Sequence, residues 1–130
     1  MSWPRVGVGV LIVDDRNRVL LALRGRPPEA GAWSIVGGRV EPFEKLAECA
    51  IREAREEVGV EIAIERPLCV TDHIVREDNE HWVAPAFLAR VTNGEPTNRE
   101  PDKTVELRWF PLTALPEKLT MTARAALAAL

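Results

Sequence analysis

The chain has 130 residues, with 17 Lys and Arg against 20 Asp and Glu and a formal net charge of −3. That is one domain's length, 46% hydrophobic and 28% charged, too apolar for intrinsic disorder and long enough to bury a core without disulfide or metal staples. The mild acidity argues against a protein that coats nucleic acid or a membrane surface, since phosphate backbones demand a basic footprint.

Residues 6–13 form an apolar run closed by Asp14 and Asp15. Interrupted by Gly7 and Gly9, and lacking a cationic leader and a small-residue cleavage site, it reads as a strand and not as a signal peptide. No stretch approaches the roughly 18 apolar residues that span a bilayer, so the expected location is cytoplasmic. Residues 18–24 form a second strand, and the polar turn at 14–17 predicts a hairpin between the two. Residues 25–31, with Pro27 and Pro28, must be a loop. Residues 33–36 follow as a short strand ending in a turn at Gly37 and Gly38. Over 44–58 the pattern becomes helical: Leu46, Ala47, Ala50, Ile51, Ala54 and Val58 recur at three- and four-residue spacing, and Gly59 stops the helix. Residues 60–75 and 81–92 read as long strands around a polar tip at 76–80. A Pro/Asn/Glu-rich loop at 93–103 leads to a strand at 105–110, and Pro116 precedes a closing helix at 120–130. One acidic helix among many strands, with a second helix at the end, predicts an α/β or α+β sandwich. Cys49 and Cys69, in apolar segments without CxxC spacing, read as buried, reduced thiols.

The acidic helix carries the chemistry. Glu53, Glu56 and Glu57 are spaced i, i+3 and i+4, so they share an arc of roughly 100°. At about 5–6 Å and an effective dielectric near 20, each like pair costs on the order of 3 kcal/mol before screening. A hard divalent cation is the natural counter-ion; the plainer alternative is a solvated acidic face offset by Arg52 and Arg55.

From Gly38 to Val60 the chain fits Gly-x5-Glu-x7-Arg-Glu-U-x-Glu-Glu-x-Gly-U, with U aliphatic, at every specified position. Gly38, Glu44, Arg52, Glu53, Ala54, Glu56, Glu57, Gly59 and Val60 fill it. On this box the chain resembles the Nudix (MutT-like) hydrolases. The segment makes physical sense as loop–helix–loop. Gly37 and Gly38 let the backbone turn and approach a ligand. Glu44 suits the N-terminal helix dipole, and Arg52 stands beside the carboxylates, able to fix one of them by a charge-assisted hydrogen bond.

The resemblance implies a single domain over 1–130, an α/β/α sandwich with a mixed sheet. It also implies an enzyme in which water attacks phosphorus in a nucleoside diphosphate linked to another group, with one to three Mg2+ or Mn2+ ions. Carried over by position, Glu53 and Glu57 are metal ligands, Glu56 is a ligand or supports one, and a carbonyl of Gly37 or Gly38 completes the site. Glu53 is the candidate base, with Glu56, Arg52 and Glu44 as its catalytic neighbours. Glu100 reads as a loop charge before it reads as a fourth acid.

The flanks RVGVGVLIV, VLLALR, W-x-x-x-GG, the strand at 81–91 and EPDK…LRWFPLTALP are similar to the nucleoside triphosphate diphosphatase branch, which releases pyrophosphate from ordinary or modified (d)NTPs. That likeness implies Arg24 on a phosphate, and Gly38, Ser34, Ile35, Ala84 and residues 119–122 around the substrate. Trp33, Trp82 and Trp109 read as core before stacking surfaces. Two positions depart from the family: Val36 stands where relatives carry Pro, and Phe43 where they carry Gly. The first loosens the loop; the second narrows the entrance or packs on the surface. The absence of Tyr speaks against dinucleoside polyphosphates. A missing Ser/Pro/Trp-rich array speaks against the NADH branch, and the lack of Pro in 74–77 against ADP-ribose. ADP-ribose or nucleotide-sugar hydrolysis is the alternative enzyme. A non-catalytic nucleotide sensor is disfavoured, because every box acid is present and 130 residues leave no room for a second domain. The expected partner is a small nucleotide, with no nucleic-acid polymer and no membrane. Relatives are often homodimers, and Trp82 and Phe87 look exposed enough to allow one.

Overall fold

Alternation along the first strand organises the molecule. In β1 (Arg5–Ile12), Val8, Val10 and Ile12 enter one core with Cys49, Ala50, Ala54 and Val58 of α1 (Leu46–Val58). Leu11, with Val13 just beyond the strand, enters a second core with Ala123 and Ala126 of α2 (Met121–Ala128). A period of two thus sends alternate residues to helices on opposite faces, and the chain is an α/β/α arrangement, as expected. The computed structural model describes residues 3–130; residues 1 and 2 of the expected domain lie outside that range. No helix among the described residues is long and apolar enough to cross a membrane.

The remaining strands are β2 (Arg18–Arg24), β3 (Trp33–Ser34), β4 (Val36–Arg39), β5 (Glu61–Val75), β6 (Glu80–Asn93) and β7 (Thr104–Pro111). They form a mixed sheet ordered β4-β1-β6-β5 and an antiparallel sheet ordered β3-β2-β7. β1 runs parallel to β6 and antiparallel to β4. The expected β1–β2 hairpin does not form: only the bridge Val13↔Val19 joins them, and each strand enters a different sheet. Leu20 is buried in the first core while Val19 and Leu21 are buried in the second. A strand apolar on both faces needs cover on both sides, and parting into two sheets supplies it.

Gly37 and Gly38 correct a second expectation. They are not a turn but lie within β4, in register with Gly9 and Val8. A Cβ on Gly37 would run into the Val8 carbonyl, and one on Gly38 into the Glu53 carboxylate. These glycines serve close approach. Helix α1 begins two residues later than its periodicity predicts. The Lys45 N–H donates to Glu48 Oε1 at 2.8 Å and Glu44 is left in the preceding loop. The helix ends as expected at Gly59, left-handed with φ 71°.

Long strands β5 and β6 pair around the tip at Arg76–Asp78, as predicted. Thr120 caps α2, its Oγ1 accepting from the Ala123 N–H at 3.2 Å. Cys49 is buried, but Cys69 is only half-buried, and both are free thiols. Trp82 and Phe87 are half-buried, not exposed: Phe87 packs on the α1 side, and the Trp82 indole N–H donates to Glu80 Oε2 at 2.7 Å.

Phe43 neither packs on the surface nor takes an ordinary backbone conformation. It is fully exposed, with φ 66°. A side chain in the left-handed region costs about 1–2 kcal/mol, against about 0.4–1 kcal/mol of extra unfolded-state freedom for glycine. Phe43→Gly is therefore expected to stabilise the protein by about 0.5–1 kcal/mol and raise Tm by a few degrees. A melting temperature unchanged or lowered would contradict this reading of the loop.

Candidate active site

Arg52 is the hub of the carboxylate cluster. It projects from α1, and its planar fork reaches three acids at once. Nε and Nη2 donate to the two oxygens of Glu44 at 2.7 and 2.9 Å. Nη1 donates to Glu53 Oε1 at 2.8 Å and Glu56 Oε2 at 3.1 Å, and Nη2 also reaches the Arg39 carbonyl at 3.0 Å. Arg52 thus ties the loop before α1 to the helix. The bidentate hydrogen bonds hold the Glu44 carboxyl far below its usual 4.5, at about 2, with the Glu41 backbone N–H (3.0 Å) helping.

Glu53 and Glu57, one turn apart, lie on the inner side of the cluster. Glu53 is buried at 9% exposure, its pKa raised chiefly by burial and opposed by hydrogen bonds with Glu57 and Arg52. Glu57 is held well above the ordinary carboxylate range, first by burial, then by the adjoining Glu53 carboxyl; the Gly37 backbone N–H opposes the rise. The hydrogen bond between the two favours the ionised form of Glu53 and disfavours that of Glu57, and a cation would relieve the crowding of their charges. The place of a Gly38 Cβ, occupied by the Glu53 carboxyl, shows how tightly the backbone cradles this pair.

Among the described residues no group of three or more His, Cys, Asp or Glu side chains closes a ready-made cage. Glu56 is exposed and turned to Arg52. The residues fit instead a hard cation held by one or two carboxylates, backbone oxygen and ligand phosphates, the pattern typical of Mg2+. Cys49, whose Sγ donates to the Gly38 carbonyl at 3.7 Å, is pushed up to about 12, first by burial and then by Glu44. It stays a thiol and lends no nucleophile.

The remaining residues divide. Ser34, Ile35 and Thr120 are brought together: Ser34 Oγ donates to the Ile35 carbonyl at 3.1 Å and accepts from Thr120 Oγ1 at 3.4 Å. Ile35 lies against Gly9, 2.6 Å from where a Cβ would stand, and buried Ala84 belongs to the neighbouring β6. These residues sit on the α2 side of the mixed sheet and Glu53 on the α1 side, with the edge strand β4 between them. Arg24 is not drawn to the carboxylates. Its Nε donates to the Pro28 carbonyl at 2.7 Å, and no ion pair joins it to an acid among the described residues.

Trp33 meets Phe110 edge-on at 4.7 Å beneath Arg108, and Trp109 lies under Arg18 at 5.6 Å, so both are packed as expected. Glu100 is more than a loop charge. It is half-buried, pairs with Lys103 at 3.0 Å, and its charge helps to raise the Glu57 pKa. Arg99, to which no motif in the sequence points, donates its backbone N–H to the Glu57 carbonyl at 3.0 Å and lays its guanidinium against Gly59. The only signal for either was the polarity of the 93–103 loop; their approach to α1 from some forty residues away is a tertiary fact.

The family model of the NUDIX domain matches residues 3–130. The crystal structure of a MutT NUDIX hydrolase from Burkholderia pseudomallei superposes with a TM-score of 0.90 and 47% identity, covering 99% of each chain. The human 8-oxo-dGDP phosphatase NUDT18 is 33% identical over 111 residues, 84% of this chain and 33% of the relative. The NAD-capped RNA hydrolase NudC of Pseudomonas aeruginosa is 30% identical over 120 residues, 88% of this chain and 40% of the relative. The chain thus spans a third to two fifths of the length of these curated relatives.

The Glu44–Arg52 pair sets a pH dependence. A carboxyl depressed from 4.5 to about 2 contributes stability that is complete above the higher value and is lost as pH falls through the lower one. Glu44→Gln is expected to be less stable than wild type at pH 7, with the gap narrowing as pH falls from 4.5 toward 2. Urea unfolding at several pH values reads this directly; a gap independent of pH would refute the assignment.

Proposed function

The chain belongs to the Nudix hydrolase family, and on that premise we propose that it is a divalent-metal-dependent pyrophosphohydrolase of nucleoside triphosphates. In this reading one catalytic domain, working in the cytoplasm, converts (d)NTPs, modified ones included, to NMP and pyrophosphate. The observation that carries it is the Glu53–Glu57 pair against Gly38, with Arg52 holding the acids around it. Mg2+, or Mn2+ in its place, would neutralise the phosphate charge and make the attacking water more acidic.

The chain's own residues then divide the work. Glu53 and Glu57, with the carbonyl of Gly37 or Gly38, would hold the cation. Glu53 accepts the water's proton at Oε2, the oxygen Arg52 leaves free, as water attacks phosphorus and the phosphoanhydride P–O bond between NMP and pyrophosphate breaks, its electron pair leaving with the bridging oxygen. Arg52 fixes the rotamer of Glu53, keeps Glu44 charged and draws Glu56 toward the cluster. Glu100 adds negative charge behind Glu57. Ser34, Ile35, Ala84 and residues 119–122 line the nucleoside's place, and Arg24 meets a phosphate once the Pro28 carbonyl releases it.

The relatives named for 8-oxo-dGDP and for NAD-capped RNA support the coarser statement that the ligand is a nucleotide carrying a diphosphate. The second of these names favours a wider reading, in which a nucleic-acid end can also serve; ADP-ribose or a nucleotide sugar is the other alternative. Incubation with Mg2+ and a panel of (d)NTPs, 8-oxo-dGTP, 8-oxo-dGDP, ADP-ribose and NAD-capped RNA separates them by product chromatography. The expected products are NMP and pyrophosphate from triphosphates. NDP with orthophosphate, or turnover of ADP-ribose alone, would sink the proposal.

Glu57→Gln is expected to lower kcat by at least about 100-fold. In EDTA it should melt above wild type, because a carboxyl raised above 4.5 by the fold costs stability once pH exceeds that value, and glutamine is never charged. Near-normal turnover in this variant would mean that the cation is held elsewhere.

A further inference from the structure

A cavity of about 750 Å³ opens at the end of the mixed sheet where β1 begins, β4 ends and β5 turns into β6. Arg5, Arg39, Arg76 and His81 line it, with the exposed Trp3 at its rim. Glu80 is the one carboxylate among the lining residues, and its Oε2 is engaged by the Trp82 indole N–H at 2.7 Å. Glu77 and Asp78, on the same turn as Arg76, do not line the cavity. None of its three arginines forms an ion pair with a described residue, whereas Arg18, Arg52, Arg55, Arg90 and Arg108 are each matched to a carboxylate elsewhere.

In a chain with net charge −3 and 20 acids, three unmatched guanidinium groups at one cavity create a local positive field against the sign of the whole. A guanidinium fork matches the paired oxygens of a phosphate group better than any neutral ligand. Arg5 is steadied over the Trp82 ring, its Cζ 5.6 Å from the centroid, which leaves its N–H edges for a ligand. The cavity also adjoins the carboxylate site. Arg39 directly follows Gly38, and its carbonyl is held by Arg52 Nη2 at 3.0 Å. Arg39 pairs with Gly7 across β4 and β1, and Arg5 pairs with Trp82 across β1 and β6.

We propose that Arg5, Arg39, Arg76 and His81 form a phosphate-binding subsite for the part of a nucleotide ligand that lies beyond the diphosphate being cleaved. The proposal rests on the nucleotide reading above for the ligand's class, and extends it to ligands carrying a further phosphate.

The test is binding without turnover, in EDTA, so that no cation bridges ligand to Glu53 and Glu57. A 3′-labelled RNA pentamer is followed by fluorescence polarisation, with AMP and pyrophosphate as competitors. The double variant Arg39→Ala/Arg76→Ala is expected to bind the pentamer at least about tenfold more weakly, with a log–log salt slope reduced by about 1.4, since each single-strand phosphate contact contributes about 0.7. Arg76→Glu, altered at the exposed tip alone, should show the same direction. Competition by AMP identifies a nucleotide phosphate as the occupant, and competition by pyrophosphate alone a plain phosphate; both sustain the subsite. Failure of all three probes to bind, or equal affinity and salt slope in the variants, would overturn it. Because the assay involves no metal and no hydrolysis, its failure would leave the hydrolase reading standing. Absence of turnover on every nucleotide would likewise leave arginine-dependent binding standing.

Discussion

Arg52 is the interaction on which the site depends. Four carboxylates crowd one end of α1 and the loop before it, and without a cation in their midst Glu44, Glu53 and Glu56 would swing apart into solvent. A guanidinium fork satisfies them together because its donors are fixed in one plane and point outward in several directions. Lysine could neutralise one of them but not hold three. The same side chain reaches the Arg39 carbonyl, so the end of β4 and the start of α1 are fastened at a single point. The acids therefore divide the electrostatic labour. Glu44 is kept charged by Arg52, while Glu53 and Glu57, drawn inward against backbone, are left short of charge compensation.

The close approach of α1 to the sheet has its own requirement. Glu53 can lie where it does because residue 38 has no side chain, and β4 can lie against β1 because residue 37 has none. Around that contact the packing is ordinary. Val8, Val10, Val36, Ala50 and Ala54 are fully or almost fully buried, each contributing on the scale of about 1–3 kcal/mol for a large aliphatic side chain and less for alanine. The hydrophobic core therefore sets the distance between helix and sheet, and the two glycines allow a carboxylate to occupy the seam. Function and fold meet at a backbone, not at a side chain, and this explains why a carbonyl belongs among the candidate metal ligands.

The distribution of charge over the molecule is uneven in a useful way. Arg18, Arg26, Arg52, Arg55, Arg90 and Arg108 are matched to nearby acids, which shortens the reach of their fields. The cavity at the end of the sheet gathers three arginines without such a match, Arg5, Arg39 and Arg76. An acidic cluster that calls for a cation and a basic cleft beside it, joined through Gly38 and Arg39, would together suit a ligand that is anionic along its length. Net charge by itself, mildly negative, conceals both features.

Much of the fold was legible from the residues. The three- and four-residue spacing of Leu46 to Val58, the stop at Gly59, the paired long strands around 76–80 and the closing helix after Pro116 are all local patterns, and local patterns are written in the chain. The acids of the box were legible for the same reason: helical spacing puts Glu53 and Glu57 on one side whatever surrounds them. The parting of β1 from β2 into separate sheets was not, because a run of apolar residues does not say which neighbour will cover each face. Nor was the role of Gly37 and Gly38 as contact points within a strand, since a glycine pair has the same composition in a turn and in a seam. Glu100 and Arg99 reach α1, and Arg5, Arg39 and Arg76 gather at one cavity, only through contacts between residues distant in sequence. Sequence by itself determined the elements, the family resemblance and the carboxylates. Tertiary structure decided which charges face one another and which are left without a partner, because electrostatic energy depends on distance in space and not on separation along the chain.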